Sequence, residues 1–438
     1  MPTTPFLTEL DERAKVRGSR DPLGVQPVWD AFGRGVIGNL STVSNSVRDF
    51  KVLLLGYWFV GRLAGAEDAR ESLNVFLRWE QLASFARARN GDARFRGTDR
   101  VQRTLAELPR KIRIAADTAG QILSDQQRYG LWGLFSVPAQ NSGLLEGAPR
   151  RLSAVAQAFV EREYLPVLDS NRRSHSSRLL EGLARKSWTI ELAGDDATLL
   201  KLVGNVLCAP LTAVELAFFR EHLLLGGPQN PVRGAQEVFA GIVTHTLEAL
   251  GDEWSPAKLQ ALARACDRLG PTGRAAASRV REIVVCESVL APATVLFNHL
   301  LAHHDQPFGD VLARVRQQWG ARMATVSASE FMELAQRVRR GAATDSTAAR
   351  WHRIAAALEA GDYRAATQEL LAQNAEVTAI RGGAPWVRLE GGKFKVMLRD
   401  GEAGALPKAA ELPDLWRHAY FLSALRDIAR DLEPQGER

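Results

Sequence analysis

The feature that most constrains the fold is a segment in which apolar residues recur at helical spacing on nearly every face. Val47, Phe50, Leu54 and Trp58 lie three or four residues apart, and the run VLLLGYWFV (residues 52–60) fills the positions between them. A helix that is apolar all round is buried in a packed bundle or in a membrane. The run is about half of the roughly 20 residues that a membrane span needs. The segment therefore predicts a central helix of a packed bundle.

Helical periodicity with Gly or Pro punctuation continues along most of the chain, which predicts a mainly α fold. Near the C-terminus the pattern changes: Trp386–Leu389 and Lys393–Leu398 alternate apolar and polar residues around Gly391-Gly392. Primed turns need positive φ at their centre, which Gly provides, so this segment predicts a C-terminal β-hairpin. A last helix is predicted over Asp414–Leu432.

Composition places the chain among globular proteins, with 46% hydrophobic and 24% charged residues. Cys208, Cys266 and Cys286 are far apart and form no CxxC pair, so we expect small buried thiols in a reducing compartment. Residues 1–20 contain no hydrophobic signal region. The chain is therefore expected to be cytoplasmic and to have no membrane partner.

Positive charge is concentrated, although the whole chain carries only +6. The window Arg87–Arg113 holds nine basic residues against three acidic ones, and Arg150–Lys186 holds eight against four. Clustered positive charge is what neutralisation of DNA phosphates requires. A solvated helical face has the same composition, and both interpretations remain open for the first window.

The two basic windows flank a segment with a distinctive order of predicted elements. Ala116–Ile122 and Asp125–Phe135 predict two helices, Gly143–Leu152 predicts an apolar ribbon with a basic turn, and AVAQAFVERE (residues 154–163) predicts a closing helix. This order resembles the ribbon and closing helix of winged-helix domains. The resemblance implies DNA contact through the second helix and the ribbon, although winged-helix units also serve protein contacts.

The predicted DNA-binding residues come from the first basic window, the second helix and the ribbon. They are Arg94, Arg96, Arg100, Arg103, Lys111, Arg113, Gln126, Gln127, Arg128, Arg150 and Arg151. The apolar character of the second helix favours contacts to phosphates, or a protein partner, over reading of bases.

The same boundaries predict four modules in a chain of this length. They are an N-terminal helical domain (1–90), a basic winged-helix-like domain (91–170), a helical bundle (171–350) and a helix–hairpin–helix region (351–438).

No motif for catalysis or for a cofactor stands out. His299 and His303 share a helix face at a spacing that can hold zinc, with Asp305 or His245 as further ligands, but no HExxH motif is present. We therefore predict no metal site. Eight scattered histidines offer too many combinations for a Ser/His/Asp or Cys/His set. We accordingly predict no catalytic residue, metal or cofactor.

Two further patterns fall short of a functional motif. Glu390, Lys393 and Asp400 have the residue types of a nuclease site, but the acid and the lysine lie across a turn. The segment GRGVIGNLST (residues 33–42) lacks the lysine of a phosphate-binding loop.

The segment Arg20–Val60 resembles the start of an uncharacterised family of bacterial proteins. The matching residues are Asp21, Leu23, Gly24, Asp30, Ala31, Phe32, Ser41, Thr42 and Arg48, and FLSALRDIARDL (residues 421–432) resembles the closing helix of that family. Gly38-Asn39 stands where the family has Pro-Gly. Genes of this family tend to lie beside helicase and phospholipase-D-type nuclease genes in phage-defence neighbourhoods. The resemblance implies a partner subunit of a DNA-directed defence system and carries over no catalytic residue.

Together these observations predict a non-catalytic DNA-binding or scaffolding subunit of a bacterial antiphage complex. Two alternatives stay open. One is a pure protein-interaction subunit that docks a helicase or nuclease without DNA contact, and the other is an unrecognised metal-dependent nuclease.

Overall fold

A computed structural model describes residues 21–65, 68–169, 174–338, 345–398 and 404–433. Within these residues the fold is mainly α, as predicted, and the strands form small two-stranded antiparallel sheets. The helices in chain order are α1 (Gln26–Arg34), α2 (Val47–Leu63), α3 (Ala69–Arg89), α4 (Thr98–Glu107), α5 (Gln126–Tyr129), α6 (Leu131–Asn141), α7 (Ala154–Glu163), α8 (Leu165–Leu168), α9 (His175–Ala184), α10 (Gly194–Cys208), α11 (Ala213–Phe219), α12 (Arg233–His245), α13 (Leu247–Leu250), α14 (Pro256–Asp267), α15 (Gly270–Leu300), α16 (Phe308–Trp319), α17 (Ala328–Val338), α18 (Asp345–Ala360), α19 (Tyr363–Ile380) and α20 (Leu422–Asp431). The strands are β1 (Lys111–Ala115), β2 (Leu145–Glu146), β3 (Arg151–Leu152), β4 (Ser187–Glu191), β5 (Val387–Glu390) and β6 (Lys393–Val396).

The described residues form two compact units, and each unit joins segments that are far apart in the sequence. Unit 1 takes its residues from Met1–Val36 and Glu248–Tyr420, and unit 2 takes them from Ile37–Leu247 and Phe421–Arg438. Neither unit coincides with one of the four consecutive segments predicted above. The division into four independent modules stays a prediction.

The core of unit 2 is built around α2, which is buried on almost every face, as its sequence predicts. Helix α3 packs against α2 where Gly56 leaves room for the rings of Phe76 and Trp79. The indole N–H of Trp79 donates to the backbone oxygen of Val52 at 2.8 Å, so the largest side chain at this contact has its polar atom satisfied.

In the sequence, Thr212 and Glu215 have the spacing of a capping box, which predicts a helix over Ala213–Leu225, and α11 begins at this box. Thr212 Oγ1 accepts from the backbone N–H of Glu215, and the Glu215 carboxylate accepts from the backbone N–H of Thr212. Glu215 also pairs with the ammonium of Lys51 at 2.8 Å, and both side chains are buried. The cap thus links α11 to α2. The following residues Arg220–Leu224 form a π-helical turn, whereas the sequence predicts that the α-helix continues to Leu225.

Strand β1 pairs with β4 in antiparallel register, and Ile112 and Ile114 of β1 face inward with Trp188 and Ile190 of β4. The sequence predicts a short strand over Thr189–Leu192, which overlaps β4. It does not reveal β1, because the basic residues that alternate with its isoleucines look like part of a charged surface.

The predicted helix over Ala116–Ile122 is wrong. The segment forms turns because Asp117 accepts from the backbone N–H of Gly120 through both its side chain (3.0 Å) and its backbone oxygen (3.0 Å). An aspartate that bonds to the backbone locally competes with helix formation.

The other predicted elements of this segment fare differently. The helix over Asp125–Phe135 is broken at Gly130, whose extended backbone separates α5 from α6. The ribbon is present as the short hairpin β2–β3, and the closing helix α7 begins at Ser153, whose hydroxyl accepts from the N–H of Ala156. The chain therefore has the ribbon and the closing helix, but its first predicted helix is missing.

Unit 1 is organised around α15, a helix of 31 residues. Helix α14 packs along it, and α1, α17, α18 and α19 also contact it. Among the described residues, α15 is long and apolar enough to cross a membrane, but 72% of its apolar window is buried within the fold, as in core helices. The predicted hairpin is confirmed as β5–β6, with Gly391 and Gly392 at φ 55° and 75°.

The last helix is shorter than predicted. Tyr420 and Phe421 have φ of 43° and 62°, which an α-helix cannot include, so α20 begins at Leu422 and not at Asp414.

Candidate nucleic-acid interface

The first basic window lies in unit 2, and its first residue, Arg87, is a structural residue. Its guanidinium is 2% exposed and bonds to Asp49 at 2.6 Å and to Asp92 at 2.9 Å. Burial works against the charge of Arg87, but the two carboxylates outweigh it and raise the pKa of the guanidinium. Because Asp92 is engaged inside the fold, the exposed part of the window is left with eight basic residues and two acidic ones, Asp99 and Glu107.

Arg87 also fixes the loop that follows α3. Its Nη2 donates to the backbone oxygen of Arg94 at 2.9 Å, and its guanidinium lies 5.2 Å from the centroid of the Phe95 ring. The loop that carries Arg94 and Arg96 is therefore held from the inside. Little backbone ordering remains for a ligand to impose on this loop.

Arg94 and Arg96 line a cleft of about 540 Å³ in unit 2, together with Arg48 and Arg430. Within the described chain, the guanidinium groups of Arg94 and Arg96 make no hydrogen bond or ion pair. Arg94 is exposed and Arg96 is half-buried. The cleft therefore offers two guanidinium groups that make no hydrogen bond with the described residues, although their charges act on the carboxylates of Asp431 and Asp49.

Three carboxylates also line this cleft, but each already has a partner. Asp49 bonds to Arg87, Asp427 accepts from Asn45 Nδ2 at 3.3 Å, and Asp431 accepts from the backbone N–H of Val47 at 3.0 Å. Burial raises the pKa of Asp49 and of Asp431. The carboxylates thus hold the walls of the cleft. Two of its arginines are also paired, since Arg430 lies 3.9 Å from Asp427 and Arg48 lies 3.7 Å from Asp92.

Helix α4 continues the basic surface. Val101 is its buried residue, and Arg100 and Arg103 are exposed on the opposite side. Arg100 donates to the backbone oxygen of Leu123 at 3.4 Å, while Arg103 makes no hydrogen bond or ion pair within the described residues.

Lys111 and Arg113 are on the outer face of β1, because they alternate with its buried isoleucines. Lys111 lies opposite Glu191 in the register with β4. Arg113 forms an ion pair with Asp117, and its hydrogen bond lowers the pKa of that carboxyl. Lys111 is therefore more available to a phosphate than Arg113.

The prediction that Gln126 contacts DNA is wrong, because this side chain is fully buried. Its Nε2 donates to Glu80 Oε2 at 2.8 Å and to the backbone oxygen of Leu77 at 3.1 Å, and its Oε1 accepts from the N–H of Ile122. Gln126 holds the 115–131 segment onto α3. The neighbouring predicted residues Gln127 and Arg128 are exposed.

Arg150 and Arg151 lie at the β2–β3 hairpin. They begin the second basic window and are separated in the sequence from the first. Arg150 donates to Gln140 at 3.1 Å, and Arg151 pairs with Glu146 at 3.2 Å while 75% of its side chain is exposed. With Arg62 at the end of α2, they line a second cleft of about 690 Å³. The structure thus groups Arg94 with Arg96 in one cleft and Arg150 with Arg151 in another.

Two arginines of the first cleft are absent from the predicted set. Arg48 appears in the family-like motif but lies outside the basic windows, and Arg430 stands more than three hundred residues further along the chain. Arg48 could have been found from that motif. Arg430 belongs to the second family-like segment, residues 421–432, but nothing in its local sequence links it to Arg94.

The histidine pair considered for metal binding is found in unit 1. His299 and His303 contact each other through their Nε2 atoms at 2.9 Å, and burial, together with His303, lowers the pKa of His299 to about 4. Asp305 bonds to Lys395, and His245 belongs to unit 2. No group of three or more metal-ligating side chains was found among the described residues.

Of the three nuclease-like residues, the structure brings two together. Glu390 and Lys393 are paired positions of the β5–β6 hairpin, and Asp400 lies outside the described residues.

Comparison with models of protein families, with curated proteins and with solved structures finds no match for this chain.

Proposed function

We propose that the chain is a cytoplasmic DNA-binding or scaffolding subunit of a bacterial antiphage complex, in which unit 2 holds DNA through its phosphates without cleaving it. The observation that carries the proposal is the loop of Arg94 and Arg96. Its guanidinium groups make no hydrogen bond or ion pair with the residues that the structure describes, and the buried Arg87 keeps the loop in place. A guanidinium group whose N–H donors form no hydrogen bond within the protein is suited to bind phosphate through two parallel hydrogen bonds.

The adjoining elements support contact with an extended polyanion. Arg100 and Arg103 on α4 and Lys111 on β1 are exposed and follow the loop in sequence. A surface of this kind binds DNA phosphates without reading bases, because its charged groups contact only the backbone. The burial of Gln126 supports the same interpretation, since it removes a residue expected to approach base edges.

The antiphage setting rests on the resemblance of residues 20–60 to the bacterial defence family. The same resemblance suggests a helicase or a phospholipase-D-type nuclease as the partner subunit. Neither follows from the geometry of unit 2.

The test is binding of the full chain to a fluorescent DNA duplex at increasing salt. Arg94, Arg100 and Arg103 are changed together to Glu, and the matched control changes Arg264, Arg268 and Arg274, three exposed arginines of unit 1, to Glu. Both variants lower the net charge equally. We expect the control to bind as the wild type does, and the first variant to lose at least about tenfold in affinity, with a log–log salt slope smaller by about 0.9 per lost contact.

Equal losses in both variants would mean that net charge alone drives binding. No binding of the wild type at low salt, with co-purification of a protein partner, would favour the interaction subunit. Metal-dependent cleavage of the duplex would favour the nuclease.

A further inference from the structure

Unit 1 contains a buried carboxylate that holds one histidine in a fixed orientation. Glu287 of α15 is 0% exposed and accepts four hydrogen bonds, all from the segment that precedes α20. The donors are the backbone N–H groups of Arg417 and His418, the Tyr420 hydroxyl at 2.8 Å and His418 Nδ1 at 2.8 Å. The carboxylate fixes both the backbone and the ring of His418.

The second nitrogen of His418 faces a hydroxyl group. Its Nε2 lies 3.4 Å from Oγ1 of Thr294, on the same helix as Glu287. A carboxylate accepts hydrogen bonds, so the contact between Glu287 and His418 Nδ1 assigns the ring proton to Nδ1. The Nε2 atom then carries a lone pair. The Thr294 hydroxyl is then the donor to Nε2. The order carboxylate, imidazole, hydroxyl is that of an activated nucleophile, and the hydroxyl–imidazole distance is often loose before substrate binds.

Thr294 and His418 open onto a cleft of about 440 Å³ within unit 1. Leu23 and Phe297 supply apolar walls. This volume is within the range of small-molecule sites.

The cleft also holds two donors that nothing else uses. Asn298 follows Thr294 by one helical turn and lines the same cleft, and Arg417 is exposed beside it. Within the described residues, neither side chain makes a hydrogen bond or an ion pair. The one acid that lines the cleft, Asp21, is engaged, because its carboxylate accepts from the N–H groups of Val25 and Gln26 at the start of α1.

This arrangement distinguishes His418 from the other histidines. Among the described residues it is the histidine that contacts a carboxylate through one ring nitrogen and a hydroxyl through the other. His222 bonds to a backbone oxygen, and His299 bonds to His303. The structure therefore selects one combination among the eight histidines.

We propose that the cleft of unit 1 is an acyl-transfer site that hydrolyses small esters. Thr294 is its nucleophile, His418 is its general base, and Glu287 is a positioning residue. This activity goes beyond the DNA binding proposed for unit 2 and does not depend on it. The apolar walls receive a short acyl chain, and the free donors of Asn298 and Arg417 face the polar end of the ester.

The reaction is a two-step displacement. Thr294 Oγ1 forms a bond to the acyl carbon, its proton passes to His418 Nε2, and the carbonyl oxygen takes up the electron pair as Asn298 and Arg417 donate to it. The ester C–O bond then breaks, and the leaving alkoxide takes the proton from Nε2. Water attacks the acyl-threonine in the same way, and its proton returns through Nε2 to Thr294 Oγ1 as the carboxylic acid leaves.

The experiment treats the full chain with a fluorophosphonate probe and locates the label by peptide mass spectrometry. The Thr294 oxygen bonds to phosphorus, fluoride leaves, and His418 takes the proton. We expect labelling at Thr294, retained in Thr294→Ser and slowed by about 100-fold or more in Thr294→Val and His418→Gln. Hydrolysis of p-nitrophenyl butyrate should follow the same order.

Ser288→Ala is the matched control, because Ser288 lies on the same helix and its hydroxyl donates to the backbone oxygen of Val285 at 2.8 Å. It should be labelled as fast as the wild type. The variant with Glu at positions 94, 100 and 103 should also be labelled as fast, because the labelling does not depend on the DNA-binding surface of unit 2. The proposal is overturned if the wild-type chain carries no label at Thr294. It is also overturned if Thr294→Val is labelled as fast as the wild type.

The role of Glu287 has its own measurement. In histidine-labelled protein, the Nδ1 proton of His418 should give a far-downfield NMR signal that Glu287→Gln removes while the circular dichroism stays unchanged. Persistence of the signal in that folded variant contradicts the positioning role.

Discussion

At the scale of single residues, Glu80 shows how far burial can change a common side chain. It is 2% exposed in α3, and its two carboxyl oxygens accept from the N–H of Leu131 at 2.7 Å and from Gln126 at 2.8 Å. Burial raises the pKa of Glu80 to about 7 from an ordinary value of 4.5, and these hydrogen bonds offset only part of the effect.

We predict that Glu80 makes unit 2 less stable as the pH rises. The folded state holds the proton up to about pH 7, and the unfolded state releases it near pH 4.5. The contribution of Glu80 to the free energy of unfolding is therefore greatest below pH 4.5, falls between pH 4.5 and 7, and is constant above. Between pH 5 and pH 8, the free energy of unfolding of Glu80→Gln should rise by roughly 2 kcal/mol relative to that of the wild type. Urea unfolding at the two pH values measures this difference. A difference between the two proteins that is the same at both pH values would contradict this.

The pair Gln126 and Gln127 shows what a sequence conveys about a site. Both are glutamines in a polar stretch, and local sequence gives no reason to treat them differently. Gln126 becomes structural only because Leu77 and Glu80, nearly fifty residues earlier, place a backbone oxygen and a carboxylate beside it. The exposed arginines of α4 could be predicted, since they need no distant partner to stay on the surface.

At the scale of elements, the contact between α2 and α3 depends on one glycine. A Cβ at Gly56 would lie 2.6 Å from Phe76 and 2.7 Å from Trp79. At the exposed Gly61, further along the same helix, a Cβ would meet nothing within 4 Å.

We predict that Gly56→Ala and Gly61→Ala change stability in opposite directions. The first overpacks the contact with α3 and should lower the free energy of unfolding by about 1–3 kcal/mol. The second improves helix propensity and should raise it by about 0.5–1 kcal/mol. Both are measured by urea unfolding, and a stabilising Gly56→Ala would show that α3 moves freely away from α2.

Elements whose signals are local were predicted, and elements that depend on distant partners were not. The capping box of Thr212 and Glu215 and the glycines of the β5–β6 hairpin act within a few residues, so both elements were predicted correctly. Strand β1 exists because it pairs with β4, more than seventy residues later. The missing helix at Ala116–Ile122 has a local cause, the Asp117–Gly120 turn, which the apolar pattern conceals.

At the scale of the whole molecule, unit 2 is completed by a helix from the end of the described chain. Helix α20 packs against α12, and Leu425 of α20 is 0% exposed. In unit 1, Leu259 is equally buried, and it belongs to α14, which packs against α15. No sequence signal predicts this arrangement, because helix periodicity indicates which face is buried and not which helix covers it.

We predict that two equivalent truncations act on different units. Leu425→Ala should cost about 2–5 kcal/mol and accelerate hydrogen exchange in α20 and in α12, which lies far earlier in the sequence. Leu259→Ala should cost a similar amount and accelerate exchange in α14 and α15. Hydrogen–deuterium exchange with mass spectrometry measures both, and identical exchange patterns for the two variants would refute the division into two units.

The interrupted course of unit 2 has a consequence for the growing polypeptide on the ribosome. Residues up to Leu247 emerge first, and Phe421 emerges only after all of Glu248–Tyr420 has been made. At ordinary rates of translation this delay is roughly 10–35 seconds. The surface of α12 that α20 covers in the finished protein is exposed during this interval, and it is then a site at which a chaperone can bind the nascent chain.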